Sequence, residues 1–136
     1  MPPILKEPHN REKRAAAYIR LTESGPDCDD QEKAIVEAAE AAGLQISDKF
    51  VEVAEIASGD IVDRRMGLFE LLGAAQAGKI RTVVVSDCRA ISNEPIEAAL
   101  IALMLEKSGV GLIFADGFET APYRESAQKL YRTEGS

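Results

Sequence analysis

The chain has 136 residues, 46% hydrophobic and 29% charged, which is the length and apolar content of one domain with one core. Lys and Arg total 16 against 23 Asp and Glu, a formal charge of −7, so the average surface repels a polyanion and any phosphate chemistry must rest on local positive charge. With His9 as its one histidine and Cys28 and Cys88 as its two cysteines, the sequence lacks the material for the usual zinc ligand sets, a Cys/His dyad or a Ser/His/Asp triad.

Residues 1–14 carry Pro2, Pro3 and Pro8 and the basic Lys6, Arg11, Lys13 and Arg14 without apolar periodicity, and are expected to form a flexible arm. Ala15 to Leu21 reads as a short buried strand interrupted by Arg20, an arginine that a buried strand tolerates only with a partner. A turn-rich stretch from Thr22 to Cys28 leads to a helix expected from Asp29 or Asp30, with Ile35, Ala38, Ala39 and Ala42 on one face and Gly43 as its stop. Phe50 to Glu55 alternates as a second strand, Ile56 to Asp63 is a loop, and Leu68, Leu71, Leu72 and Ala75 mark a second helix before Gly78. Thr82 to Val85, rich in β-branched residues, is the clearest buried strand.

Asn93 and Pro95 open a third helix that runs to about Ser108 and stops at Gly109. Its apolar stripe is wide: Ile96, Leu100 and Leu103 on one side, Ile101, Met104 and Leu105 on another. Either the helix is deeply buried, or its Ile96–Leu105 stretch meets a second copy of the chain. The same stretch carries Glu97 and falls short of the roughly 20 apolar residues that cross a bilayer, so no membrane span is expected. Val110 to Ala115 is a fourth strand, and residues 118–136 form a tail with a short helix near Arg124 to Tyr131. Few cysteines and no secretory signal make the cytoplasm the expected compartment.

The order β, α, β, α, β, α, β predicts an α/β domain of three layers, a mainly parallel sheet between helices in flavodoxin-like order. Ligands of such sheets gather beyond the carboxyl ends of the strands. There the sequence places Arg20, Thr22 and Ser24 after the first strand, Glu55, Ser58, Gly59, Arg64 and Arg65 after the second, and Ser86, Asp87, Arg89 and Ser92 after the third. Arginines around hydroxyls suit a phosphate whose charge grows in a transition state. The competing reading pairs them with Glu23, Glu55, Asp63 and Asp87 as loop salt bridges.

The strings of a P-loop and of a dinucleotide fold are both absent. A phosphoacceptor receiver would place an acidic pair after the first strand, where Arg20 and Thr22 stand. Asp27, Asp29 and Asp30 are read as helix-capping residues rather than ligands of a divalent ion.

Taken in order, several strings resemble the catalytic domain of the serine recombinases, the resolvase and invertase family. They are Tyr18-Ile19-Arg20-Leu21-Thr22, Gln31 nine residues beyond Thr22, Ala57-Ser58-Gly59, Arg65-Met66-Gly67-Leu68, Gly78-Lys79-Ile80-Arg81 ahead of Thr82 to Val85, and Cys88-Arg89-Ala90-Ile91-Ser92. The likeness covers about residues 15–117. It implies a resolvase-like fold and site-specific DNA recombination, with a hydroxyl at Thr22 attacking a DNA phosphodiester and becoming linked to the 5′ phosphate. Arg20, Arg65 and Arg89 would hold the phosphate, with Gln31, Glu55, Ser58 and Ser92 in support. The resemblance implies no metal and no nucleotide cofactor.

The strings depart from the family at three positions. Thr22 stands for the nucleophilic serine, Cys88 for an aspartate and Ser92 for the last active-site arginine, so the resemblance implies impaired chemistry or, as the alternative, a catalytically silent module that dimerises or binds a partner. The family normally continues into a long dimer helix and a separate DNA-binding module, whereas these 136 residues contain neither a helix-turn-helix nor a zinc motif. DNA is therefore expected to be held weakly by this domain alone, and self-association to run through the helix from Ile96 to Leu105.

Overall fold

A computed structural model describes residues 13–22, 25–53 and 66–135. Four strands, β1 (Arg14–Leu21), β2 (Gln45–Val53), β3 (Thr82–Val85) and β4 (Gly111–Phe114), form one sheet in the order β2-β1-β3-β4. All three strand pairings are parallel, so the expected mainly parallel sheet is parallel throughout its described strands. The helices are α1 (Cys28–Ala41), α2 (Met66–Gln76), the one-turn α3 (Cys88–Ile91), α4 (Pro95–Lys107) and α5 (Arg124–Gly135), the last preceded by a 3-10 turn at Ala121–Tyr123.

β1 is nearly all apolar because both of its faces are covered. Ala16 and Tyr18 join Val83, Val85, Leu71, Ile101 and Leu105 in a core under α2 and α4. Ala15, Ala17 and Ile19 point the other way, with Val84, Ile35 and Ala39 of α1. Each of the large side chains there, Tyr18, Ile19 and Ile35, is fully buried, a contribution of about 1.5–3 kcal/mol apiece. The result is the expected three layers.

β2 starts five residues before the expected Phe50, because its ladder with β1 runs from Gln45 opposite Arg14 to Val53 opposite Leu21. As an edge strand it leaves Ser47, Asp48 and Lys49 exposed, which hides the apolar alternation that marks a strand. The α1 start is capped by Asp27, whose carboxylate accepts from the Asp30 N–H at 2.8 Å, and its end is marked by Gly43 at φ 75°. Asp27 is thus a helix cap, as expected from the sequence.

The wide stripe of α4 is divided between two neighbours. Ala98, Ala99, Ile101, Leu103 and Leu105 are buried, and α5 packs on α4 with Ala127 fully buried. An Arg124–Glu106 ion pair and Lys107 over the Tyr131 ring at 5.7 Å tie the two helices. The tail helix therefore extends over the twelve residues of α5 and supplies much of the cover that a second copy would otherwise provide. Ile96 and Met104 stay exposed. Among the described residues, no helix is long and apolar enough to cross a membrane.

Candidate active site

The chain reverses direction across the sheet between β1 and β3, the place where open α/β sheets form a crevice. The two strands pair only at Ala16–Ala17 with Val83–Val84, and beyond them β1 carries Arg20 and runs into Thr22 while β3 runs into Ser86 and Asp87. A cleft of about 190 Å³ opens there, lined by Arg20, Thr22, Gly25, Pro26, Gln31, Ser86, Asp87, Arg89, Ala90 and Asn93. Four residues that the family resemblance assigns to the site, Arg20, Thr22, Gln31 and Arg89, share this one cleft with Ser86 and Asp87.

Gln31 organises the β1 side. Its buried amide donates from Nε2 to the carbonyls of Arg20 at 2.8 Å and Pro26 at 2.9 Å, and its Oε1 accepts from the Arg20 N–H at 3.2 Å. Arg20 and Pro26, which precede and follow Thr22 in the chain, are thereby fastened to α1. Thr22 is exposed at the cleft, and the Arg20 side chain is half-buried beside it.

On the β3 side, Asp87 caps α3 by accepting from the Ala90 N–H at 3.2 Å. Its other oxygen lies 3.8 Å from Nη2 of Arg89, whose side chain is 73% exposed. At that length and exposure the pair contributes little, and the guanidinium keeps donors for an anion. Of the carboxylates weighed as arginine partners, Glu23, Glu55 and Asp63 lie outside the described residues, as do Ser24, Ser58, Arg64 and Arg65.

Ser92 does not line the cleft. It is buried in the turn before α4, donates to Oε1 of Glu97 at 2.5 Å and accepts from the Glu94 N–H at 3.0 Å, so its hydroxyl serves the start of α4. Cys88 donates to the Ser92 carbonyl at 3.5 Å. Burial, then the charges of Asp87 and Asp116, push its thiol pKa up against the opposing pull of Arg89, so it stays neutral near pH 7.

One buried carboxylate is new. Glu52 of β2 accepts from the Tyr18 hydroxyl of β1 and from the Leu68 N–H in the first turn of α2 at 3.2 Å. A negative charge at a helix N-terminus meets unsatisfied N–H groups and the positive end of the helix dipole. Gly67 lets the helix come this close, since a Cβ there would sit 2.9 Å from Glu52 Cβ. The sequence signal was available: Phe50 faces the core, so Glu52, two residues on, shares that face. Among the described residues, no group of three or more His, Cys, Asp or Glu side chains is placed to hold a metal ion.

With fold and cleft in view, the comparisons decide the family. Residues 15–133 match the family model "Resolvase, N terminal domain". The chain belongs to the resolvase N-terminal domain family. Among solved structures, this resolvase domain is similar to the N-terminal catalytic domain of TP901-1 integrase, at 19% identity and a TM-score of 0.66, over 90% of this chain and 96% of that one. It is also similar to the C-terminal catalytic domain of ISC1926 TnpA, an IS607-like serine recombinase, at 20% identity and a TM-score of 0.59, over 88% of this chain and 81% of that one. At such identities the likeness is one of fold: the resolvase domain has the fold of serine recombinase catalytic domains. No curated protein sequence matches the chain.

Proposed function

We propose that this resolvase domain breaks and rejoins DNA through Thr22. The observation that carries the reading is the meeting of a hydroxyl and two guanidinium groups, those of Thr22, Arg20 and Arg89, in one cleft at the switch point of the sheet. Thr22 Oγ1 attacks the phosphorus of a phosphodiester and gives up its proton as the new O–P bond forms. The bond from phosphorus to the 3′ oxygen breaks, that oxygen takes up a proton, and the 5′ phosphate stays esterified to Thr22. Arg20 and Arg89, with Arg65 carried over from the family pattern, hold the non-bridging oxygens and stabilise their growing charge. Gln31 fastens the nucleophile's turn.

DNA contact by this domain alone is weak at a net charge of −7, and a second copy meets it through α4, where Ile96 and Met104 are exposed. One observation favours the alternative, a catalytically silent module: Ser92, at the place of the family's last arginine, is committed to the start of α4.

An activated phosphodiester needs no target sequence and so tests the chemistry directly. The 4-nitrophenyl ester of thymidine 5′-phosphate should release nitrophenolate and leave a thymidine phosphoryl group on the protein, read by intact mass. The adduct should be absent in Thr22→Ala and formed faster in Thr22→Ser. No adduct with either hydroxyl, even with Ser92→Arg added, would establish the silent module instead.

A further inference from the structure

We propose that Gly25 is a positioning residue, which keeps open the space that the Thr22 hydroxyl occupies. A Cβ built on Gly25 would lie 2.5 Å from Thr22 Oγ1 and 3.8 Å from Thr22 Cβ. Such a carbon and oxygen overlap deeply, so the hydroxyl rests against the bare α-carbon side of Gly25 and a methyl there would evict it.

Gln31 binds the Arg20 backbone on one side of Thr22 and the Pro26 carbonyl immediately beyond Gly25. The atoms that a Cβ at Gly25 would meet both belong to the Thr22 side chain, so relief comes from that side chain. A β-branched side chain is stiff at χ1: its oxygen and its methyl fill two of three staggered wells. Only the hydrogen on Cβ is small enough to face a methyl added at Gly25. Gly25→Ala therefore restricts Thr22 to one rotamer, with the hydroxyl removed from its native well.

The catalytic consequence rests on the proposed strand cleavage, whereas the rotamer does not. The test compares wild type, Gly25→Ala and the control Gly73→Ala, a helix glycine with no atom within 4 Å of its built Cβ. Three-bond couplings from backbone nitrogen and carbonyl carbon to the Thr22 methyl report χ1, and intact mass reports adduct formation with the nitrophenyl ester of thymidine 5′-phosphate. Gly25→Ala should change the couplings to those of a different rotamer and slow the adduct about a hundredfold, the scale of a misplaced reacting atom. Binding of inorganic phosphate, followed at the Arg20 and Arg89 amides, should stay within about twofold, because the guanidinium groups are untouched. Gly73→Ala should match wild type in every measurement. Unchanged Thr22 couplings in Gly25→Ala overturn the proposal, as does an adduct rate equal to wild type, or phosphate binding lost in step with the adduct. If wild type forms no adduct, strand cleavage fails while the couplings still decide the role of Gly25.

Discussion

Gln31 holds Arg20 by both of its backbone groups, accepting from its N–H and donating to its carbonyl, as a neighbouring strand would. A side chain thus continues the β1 ladder past the point where β3 has left it. Truncation in Gln31→Ala removes that partner from the part-buried backbone groups of Arg20 and from the Pro26 carbonyl and should cost about 1 kcal/mol, measured by urea unfolding. Gln31→Glu is the sharper probe. It keeps the acceptor facing the Arg20 N–H but turns a charged oxygen toward two carbonyls, so the site favours the protonated acid and raises its pKa. Stability of this variant should be present at acid pH and fall as the pH climbs through that raised value, whereas wild type shows no such step. A flat difference between the two across the acid-to-neutral range would contradict this account.

The second relationship is Glu52 with Tyr18 and Leu68. A buried carboxylate with its donors removed is costly, so Tyr18→Phe should destabilise by about 1.5–3 kcal/mol and Glu52→Ala by a similar amount, read as shifts of the urea midpoint. Gly67→Ala should cost about 1–3 kcal/mol, because its new methyl meets Glu52 Cβ at 2.9 Å and the Val51 carbonyl at 3.3 Å, and backbone cannot give way as a side chain can. Gly67→Ala at wild-type stability would show that α2 can retreat from β2.

These two sites mark what the sequence made legible and what it did not. Thr82–Val85 was readable to the residue because a central strand buried on both faces has to be apolar throughout. Edge strand β2 was half hidden: its exposed Val51 and Val53 and its buried Glu52 invert the usual rule, which reads apolar as inside. The one-turn α3 left no periodic signal, being too short for one, and only its Asp87 cap could have announced it. Arg20, Thr22 and Arg89 could be placed near one edge from strand order, and Gln31 from the family resemblance, but not the roles of Gly25 and Ser92. Those depend on how closely Gly25 approaches Thr22 and on which helix start a hydroxyl serves, neither of which has a period or a charge pattern.

Cys88 offers a pH test. Burial and the carboxylates of Asp87 and Asp116 raise its pKa above the ordinary 9.0, so in a Cys28→Ser background its alkylation by iodoacetamide should be slow near neutral pH and rise only in the alkaline range. Removing one charge in Asp116→Asn should move the rate profile to lower pH. Because the folded pKa is the higher one, this thiol's contribution to stability is complete below the unfolded pKa and lost as pH rises through the folded value. An alkylation profile centred below the ordinary 9.0 would contradict the assignment.

Asp87 and Arg89 pull the cleft in opposite directions, and their separate removal should show it. Arg89→Gln deletes a charged donor that works mainly on the transition state, so adduct formation should slow about a hundredfold. Asp87→Asn retains an oxygen for the Ala90 N–H, so the α3 cap survives, but it removes a negative charge from the wall of an anion site. At roughly 4 Å in water-like screening one such charge repels an anion by about 1 kcal/mol, which is about a fivefold gain in inorganic phosphate affinity for the variant. Added salt should shrink that gain, because both groups are partly open to solvent. The measurement is a phosphate titration followed at the Arg20 amide at low and high ionic strength. Should Asp87→Asn bind phosphate no better than wild type at low salt, the carboxylate does not oppose the anion, and the cleft's positive charge is not what draws a phosphate to Thr22.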